Sequence, residues 1–284
     1  MVSLTKLFLI LIPYRFCYMM IVMLKLLLFF VLVLYSFSNG YAKPPYKGTV
    51  WSFPDLIKPT DPSTFQELIY TGQDHRKIYD RRHAPNGWII KKMFLFNAIY
   101  EERIIEIQVN PEFKNESNAY DVALVYSNII GQLPNFLLVD LETVWINKGK
   151  HSFGGGNRNF LIHTRMGKKA ISEGVIEELF IHEGGHTSLS FTSNEASMSS
   201  SIDHSKMQGW KEAKKKDKEY ISSYAKKNPR SEDVAESILT WIAVRYRSDR
   251  ISKKDKEIIL KTIPNRLEYF DEQNFDMYPL VPRE

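Results

Sequence analysis

Cysteine is almost missing from this chain: the sole one, Cys17, lies in an apolar stretch near the N-terminus. A mature form lacking that stretch has neither disulfides nor thiol chemistry. It must then be stabilised through its core, and 284 residues with 44% apolar content allow one large domain or two small ones. Excess charge is scarce too. Residues 1–42 hold Lys6, Arg15 and Lys25 and no acid, so without them the net charge falls from +5 to +2. The pI near 9.0 therefore gives no ground for nucleic-acid binding. Nor does any basic motif with interleaved aromatics. No repeat at solenoid or propeller periods is present. The run Gly154-Gly155-Gly156-Asn157 lacks the Lys-Ser/Thr ending of a phosphate loop, and no helix is expected after it. It reads as a flexible loop bordering a cleft.

What is present begins with a targeting segment. Leu26–Tyr35 is a continuous apolar run after Lys25, followed by small Gly40 and Ala42. This predicts a signal peptide over residues 1–42 cleaved after Ala42, hence a secreted protein without stable membrane association. The competing expectation is an uncleaved signal anchor over Phe16–Tyr35, long enough to span at about 20 residues. Asn115-Glu116-Ser117 is an N-glycosylation sequon.

Residues 43–75, with Pro44, Pro45, Pro54, Pro59 and Pro62, read as an extended lead-in. Residues 76–284 read as the main domain, β-rich over 76–165 and helical over 166–284. Trp88–Ile90, Phe94–Tyr100 and Ile104–Val109 predict strands, the last two as a hairpin. Val122, Val125, Tyr126, Ile129 and Ile130 predict a helix over 118–131. Val144–Ile146 and Asn159–Thr164 predict further strands. His75, His83 and His163 are expected to be surface or packing residues. Ser190–Ser205 is expected to be loop. The lysines of Trp210–Tyr220 read as a solvated helix face, with a patch for acidic partners as the second reading. Ser252-Lys-Lys-Asp255 resembles a capping box opening a helix over 253–262.

The chemistry concentrates in His182-Glu183-Gly184-Gly185-His186, an HExxH pattern on an expected helix whose apolar residues are Ile171, Val175, Ile176, Leu179 and Phe180. Residues four apart share a face, so His182 and His186 can address one metal ion. Glu183 stands beside the remaining coordination position, where a carboxylate can take a proton from metal-held water. Gly184 and Gly185 each cost about 1 kcal/mol against Ala in a helix interior, so a close approach should require them. A metzincin third ligand is excluded, since Leu189 and Thr192 stand where Gly and His would be. The best third-ligand region is Asn228–Glu236, expected to open a helix with Asn228 as N-cap and Pro229 at the first position. Glu232 and Glu236 share a face there; one can bind metal and the other can hold a ligating histidine. Asp203 and His204 remain rival third ligands.

HExxH followed by Glu232-Asp-Val-Ala-Glu236 on a second helix resembles the gluzincin superfamily of zinc metallopeptidases, distantly the lethal-factor-like branch. The resemblance implies a zincin-like α+β fold, with an antiparallel or mixed sheet in the N-terminal half and a mainly helical C-terminal half. It implies Zn2+ held by His182, His186 and Glu232, with Glu183 as general base and Glu236 behind a ligand. It also implies an oxyanion-binding tyrosine, Tyr224 or alternatively Tyr220, and strand addition of a peptide substrate at 159–164 as an edge strand. The expected function is a secreted, monomeric zinc metallopeptidase acting on peptides or proteins. The competing expectations are an inactive zinc-containing binding module and a zinc hydrolase of non-peptide amides.

Overall fold

The aromatic and β-branched residues after Trp88 build the middle of a sheet. A computed structural model describes residues 43–190 and 202–283, besides Met23 and Lys25. The signal-peptide and signal-anchor expectations for residues 1–42, and residues 191–201 of the loop expected over Ser190–Ser205, fall outside the described residues. Strands β2 (Trp88–Tyr100) and β3 (Arg103–Val109) form the expected antiparallel hairpin, with Tyr100 opposite Arg103 and Phe94 opposite Val109. No break occurs at Lys91-Lys92. β2 runs through them because β1 (Phe65–Tyr79) pairs along its length, placing Arg76 opposite Lys91 and His75 opposite Lys92. β1 thus begins inside the stretch expected as lead-in. Leu68 and Ile78 alone are buried along it, so it carries no alternation to read.

Strands β4 (Thr143–Asn147), β5 (Gly154–Gly156) and β6 (Asn159–His163) complete a six-stranded mixed sheet of order β1-β2-β3-β4-β6-β5. β4 is parallel to β3 and β6, and β5 is antiparallel to β6. β6 is buried throughout, as strands covered on both faces are. Two expectations are corrected here. The glycine run is a strand rather than a loop, and it, not β6, holds the sheet edge next to the cleft.

Helix α1 (Glu116–Ile130) connects β3 to β4, and the Asn115 side chain caps it by accepting from the Asn118 N–H at 2.9 Å. Its buried face is Ala119, Ala123, Tyr126, Ser127 and Ile130, leaving Val125 exposed. The second half contains α2 (Thr164–Ser172), α3 (Ile176–Ser188), α4 (Gln208–Asp217), α5 (Ser223–Lys227), α6 (Asp233–Tyr246), α7 (Lys253–Thr262) and α8 (Pro264–Asp271). Ser252 caps α7 as expected. The single helix expected from Ile171 is broken. Gly174 adopts φ +68°, and a Cβ there would meet Asp55 Oδ1 at 2.5 Å, so the motif helix starts afresh at Ile176. Asn228 does not cap α6 either. Its carbonyl accepts from the Glu232 N–H at 2.9 Å in a preceding turn, and Glu232 occupies the N-cap. Among the described residues no helix is long and apolar enough to cross a membrane.

Beneath α6 lies a cluster of Trp210, Trp241, Tyr269, Phe270 and Phe275. Arg266, fully buried, joins it to two carboxylates, Asp217 at 3.0 Å and Asp233 at 3.3 Å. The proline-rich segment packs into the same unit, with Phe53, Leu56 and Ile57 buried. Carboxylates of the helical half hold its backbone. Glu178 Oε2 accepts from the Trp51 N–H at 2.9 Å, and Glu236 Oε2 from the Thr49 N–H at 2.7 Å.

Glu178 is 1% exposed, and burial raises its pKa to about 8 against the N–H groups of Trp51, Phe53 and Ser52 that favour its charge. The folded chain therefore keeps a proton that the unfolded chain has released above its ordinary 4.5. Between those values the folded state binds more protons, so this group's contribution to stability is lost as pH rises, at up to about 1.4 kcal/mol per unit. Glu178→Gln retains an accepting oxygen and removes the titration. Its urea-unfolding stability relative to wild type should climb from pH 5 to pH 8; a pH-independent difference would contradict the assignment.

Candidate metal centre

Two helices build this centre because small residues let them touch. A Cβ on Gly185 would meet Ala235 Cα at 3.0 Å, and one on Gly184 would meet Leu137 Cβ at 3.0 Å. The two glycines of the motif thus serve a close approach of neighbouring chain, as their helix cost demanded. α3 packs directly on α6, bringing Glu232 and Glu236 opposite the histidines.

The resulting geometry is a small triangle. His182 Nε2 and His186 Nε2 lie 3.2 Å apart, and Glu232 Oε2 lies 3.3 Å from the first and 3.2 Å from the second. Glu232 Oε2 is a buried oxygen with no aligned hydrogen-bond donor. Three lone-pair atoms converging this closely suit a cation: the edge of a tetrahedron with bonds of about 2.0–2.1 Å is about 3.3–3.4 Å. Among the described residues these three form the group able to hold a metal. On the far side of the first imidazole, Glu236 Oε1 stands 3.4 Å from His182 Nδ1. Since its other oxygen is fixed by Thr49, Glu236 links the N-terminal segment to the His182 side of the triangle.

The electrostatics follow from the crowding. Burial lowers the basicity of His182, but Glu232, Glu183 and Glu236 more than reverse this, and its pKa is raised. Burial opposes ionisation of Glu232, yet the two imidazoles hold it well below the usual carboxylate range. Tyr224 lies with its ring centroid 6.5 Å from that of His182. Burial and then Glu232 push its phenol up to about 12, further from ionisation than an ordinary phenol.

The rival ligands are engaged elsewhere. His204 is buried, with Nδ1 2.8 Å from the Tyr269 hydroxyl, and burial lowers its pKa to about 4. Asp203 accepts from the Ser205 N–H at 3.1 Å and pairs with Lys206 at 2.8 Å. Tyr220 packs beside Lys214 and Arg266. Nor do the remaining histidines join the site. His163 is buried 3.4 Å from Asp80, while His75 and His83 are exposed.

His182, Glu183, His186, Tyr224 and Glu232 share a cleft of about 1000 Å³. Gly154–Gly156 form part of its wall. A Cβ on Gly155 would meet the Glu183 carbonyl oxygen at 2.1 Å, so only glycine lets β5 lie against α3 here. Thr187 Oγ1 accepts from the Gly156 N–H at 3.0 Å and fixes the strand on the helix. Sequence reasoning placed the glycines near a cleft but missed Arg81 and Arg230 in its lining, and read Lys211 and Lys214 first as a solvated face, with a patch for acidic partners second. The three-residue spacing of Lys211 and Lys214 beside Trp210 was the available signal.

No known protein family, curated protein or solved structure matches the chain.

Zinc titration distinguishes the third ligand. The full chain should bind one equivalent, with affinity at least about tenfold weaker in Glu232→Ala and unchanged in Asp203→Ala. Equal binding by Glu232→Ala and wild type would remove Glu232 from the site.

Proposed function

We propose that the chain is a zincin-like zinc metallopeptidase of gluzincin type, cleaving peptide bonds in peptides or proteins. The triangle of His182, His186 and Glu232 with an undonated buried oxygen carries this reading. Zn2+ suits two imidazoles and a carboxylate, and when bound it supplies Lewis acidity and lowers the pKa of water toward about 7. The remaining work falls to the chain itself. The Glu183 carboxylate, in the same cleft, accepts a proton from the attacking water and delivers it to the leaving amine. The Tyr224 phenol, protonated at neutral pH as phenols are, donates to the carbonyl oxygen as it becomes anionic. Glu236, fixed by the Thr49 N–H, stands 3.4 Å from Nδ1 behind the His182 ring. The edge strand β5 offers main-chain groups along which an extended peptide adds as a further strand. Secretion through the N-terminal apolar segment and action as a monomer belong to the same reading.

Glu183→Gln should retain stoichiometric zinc and the wild-type unfolding curve while peptide turnover falls about 10²–10⁴-fold. Wild-type turnover in this variant would rule out Glu183 as the base. Cleavage of a non-peptide amide in place of every peptide would redirect the substrate class.

A further inference from the structure

We propose that the cleft selects anionic peptides, with Arg81 on one wall and Lys211 and Arg230 on the other attracting acidic side chains that flank the bond to be cut. The inference rests on the peptidase reading and names its substrate class. Five cationic side chains line the cleft, Arg81, Lys206, Lys211, Lys214 and Arg230, against the acids Glu183 and Glu232. Both acids already have a use, one as base and one as ligand.

Two of the cations are engaged. Lys206 pairs with Asp203 at 2.8 Å, and Lys214 donates to the Pro229 carbonyl at 3.1 Å with Asp233 at 3.7 Å. The other three have no carboxylate partner among the described residues. Arg81 donates through Nη2 to the Phe153 carbonyl at 2.9 Å, which stations its guanidinium beside Gly154 on the β5 wall. Lys211 comes from α4 and Arg230 from the turn before α6, both exposed on the helical wall. The field therefore reaches a bound chain from both sides.

This charge is local. Beyond residue 42 the chain carries only +2, so a general affinity for polyanions is not built into its composition. The lysines of α4 also divide: Lys211 and Lys214 line the cleft, whereas Lys215 and Lys216 are exposed outside it. In a groove with low-dielectric walls, like charges focus their field and enrich an oppositely charged ligand. Cations on opposing walls suit carboxylates carried on either side of an extended peptide. A nucleic-acid strand would call for a continuous basic track with stacking faces, and Trp210 in this cleft is 2% exposed.

The test uses the full chain carrying Glu183→Gln, loaded with zinc, and fluorescent peptides capped at both ends. The peptides differ only in flanking residues that are all Glu, all Gln or all Lys. Anisotropy should show the Glu peptide binding about tenfold or more tighter than the Gln peptide, and the Lys peptide weakest. The gap should shrink as salt rises. Adding Lys211→Glu and Arg230→Glu should invert the order, and Lys211→Gln with Arg230→Gln should flatten it, with unfolding midpoints confirming folded variants. Equal binding of Glu and Gln peptides, an order untouched by these changes, or tighter binding of oligothymidylate would each overturn the proposal. Turnover of the same peptides by the wild-type chain separates the two readings. Preference in binding without cleavage upholds the anion-selecting cleft and defeats the peptidase. Cleavage without preference does the opposite.

Discussion

The contact of Gly185 with Ala235 is the constraint on which the site depends. Helix axes approach most closely where side chains are smallest, and a Cβ on Gly185 would fall 3.0 Å from the facing backbone. The histidines come from one helix and Glu232 and Glu236 from the start of the other, so any added width pulls the triangle apart. The fully buried Arg266 fixes the second helix at its beginning, through Asp233, the residue directly after Glu232. Burying such a pair costs desolvation, and it holds where good geometry and further hydrogen bonds satisfy the charges. Arg266 also reaches Asp217 and the Glu219 carbonyl, which satisfies its guanidinium, while Asp233 Oδ1 is buried without a hydrogen-bond partner among the described residues.

The legible parts of the sequence were those encoded within one or two turns. The HExxH and Glu232/Glu236 spacings state which residues share a face, and the α7 capping box marks its own start. The β2–β3 hairpin was legible because Phe94–Tyr100 and Ile104–Val109 are dense in strand-forming residues on either side of Glu101-Glu102-Arg103. β1 was not, because as an edge strand with two buried positions it has no apolar rhythm. The sequence put Glu232 first as candidate third ligand but left Asp203 and His204 as rivals, since all three are plausible donors by type. Packing separated them, by placing His204 against Tyr269 and Asp203 against Ser205 and Lys206.

Backbone groups also left no trace in the sequence. The segment around Thr49 and Trp51 reads as proline-rich and irregular, yet its N–H groups are donors to Glu236 and Glu178. Ser223 and Tyr224 donate their N–H groups to the carbonyls of Tyr46 and Lys47. One short stretch of chain thus braces both the carboxylate behind His182 and the tyrosine facing the cleft. A segment expected to lead into the domain is instead structural support for its centre, in a role that depends on main-chain geometry and tolerates varied side chains.

The glycine strand has a wider consequence. β5 has no side chains; at Gly155 the Glu183 carbonyl leaves no room for a Cβ, and Gly156 adopts φ +103°. A peptide lying along it would meet the same main-chain surface whatever its sequence, so this wall can set direction and register but carries no means of telling one residue from another. For such a peptide, discrimination would fall to Arg81 beside Gly154 and to the helical part of the lining. Changes to that helical part can therefore alter what is accepted while leaving intact how it is held.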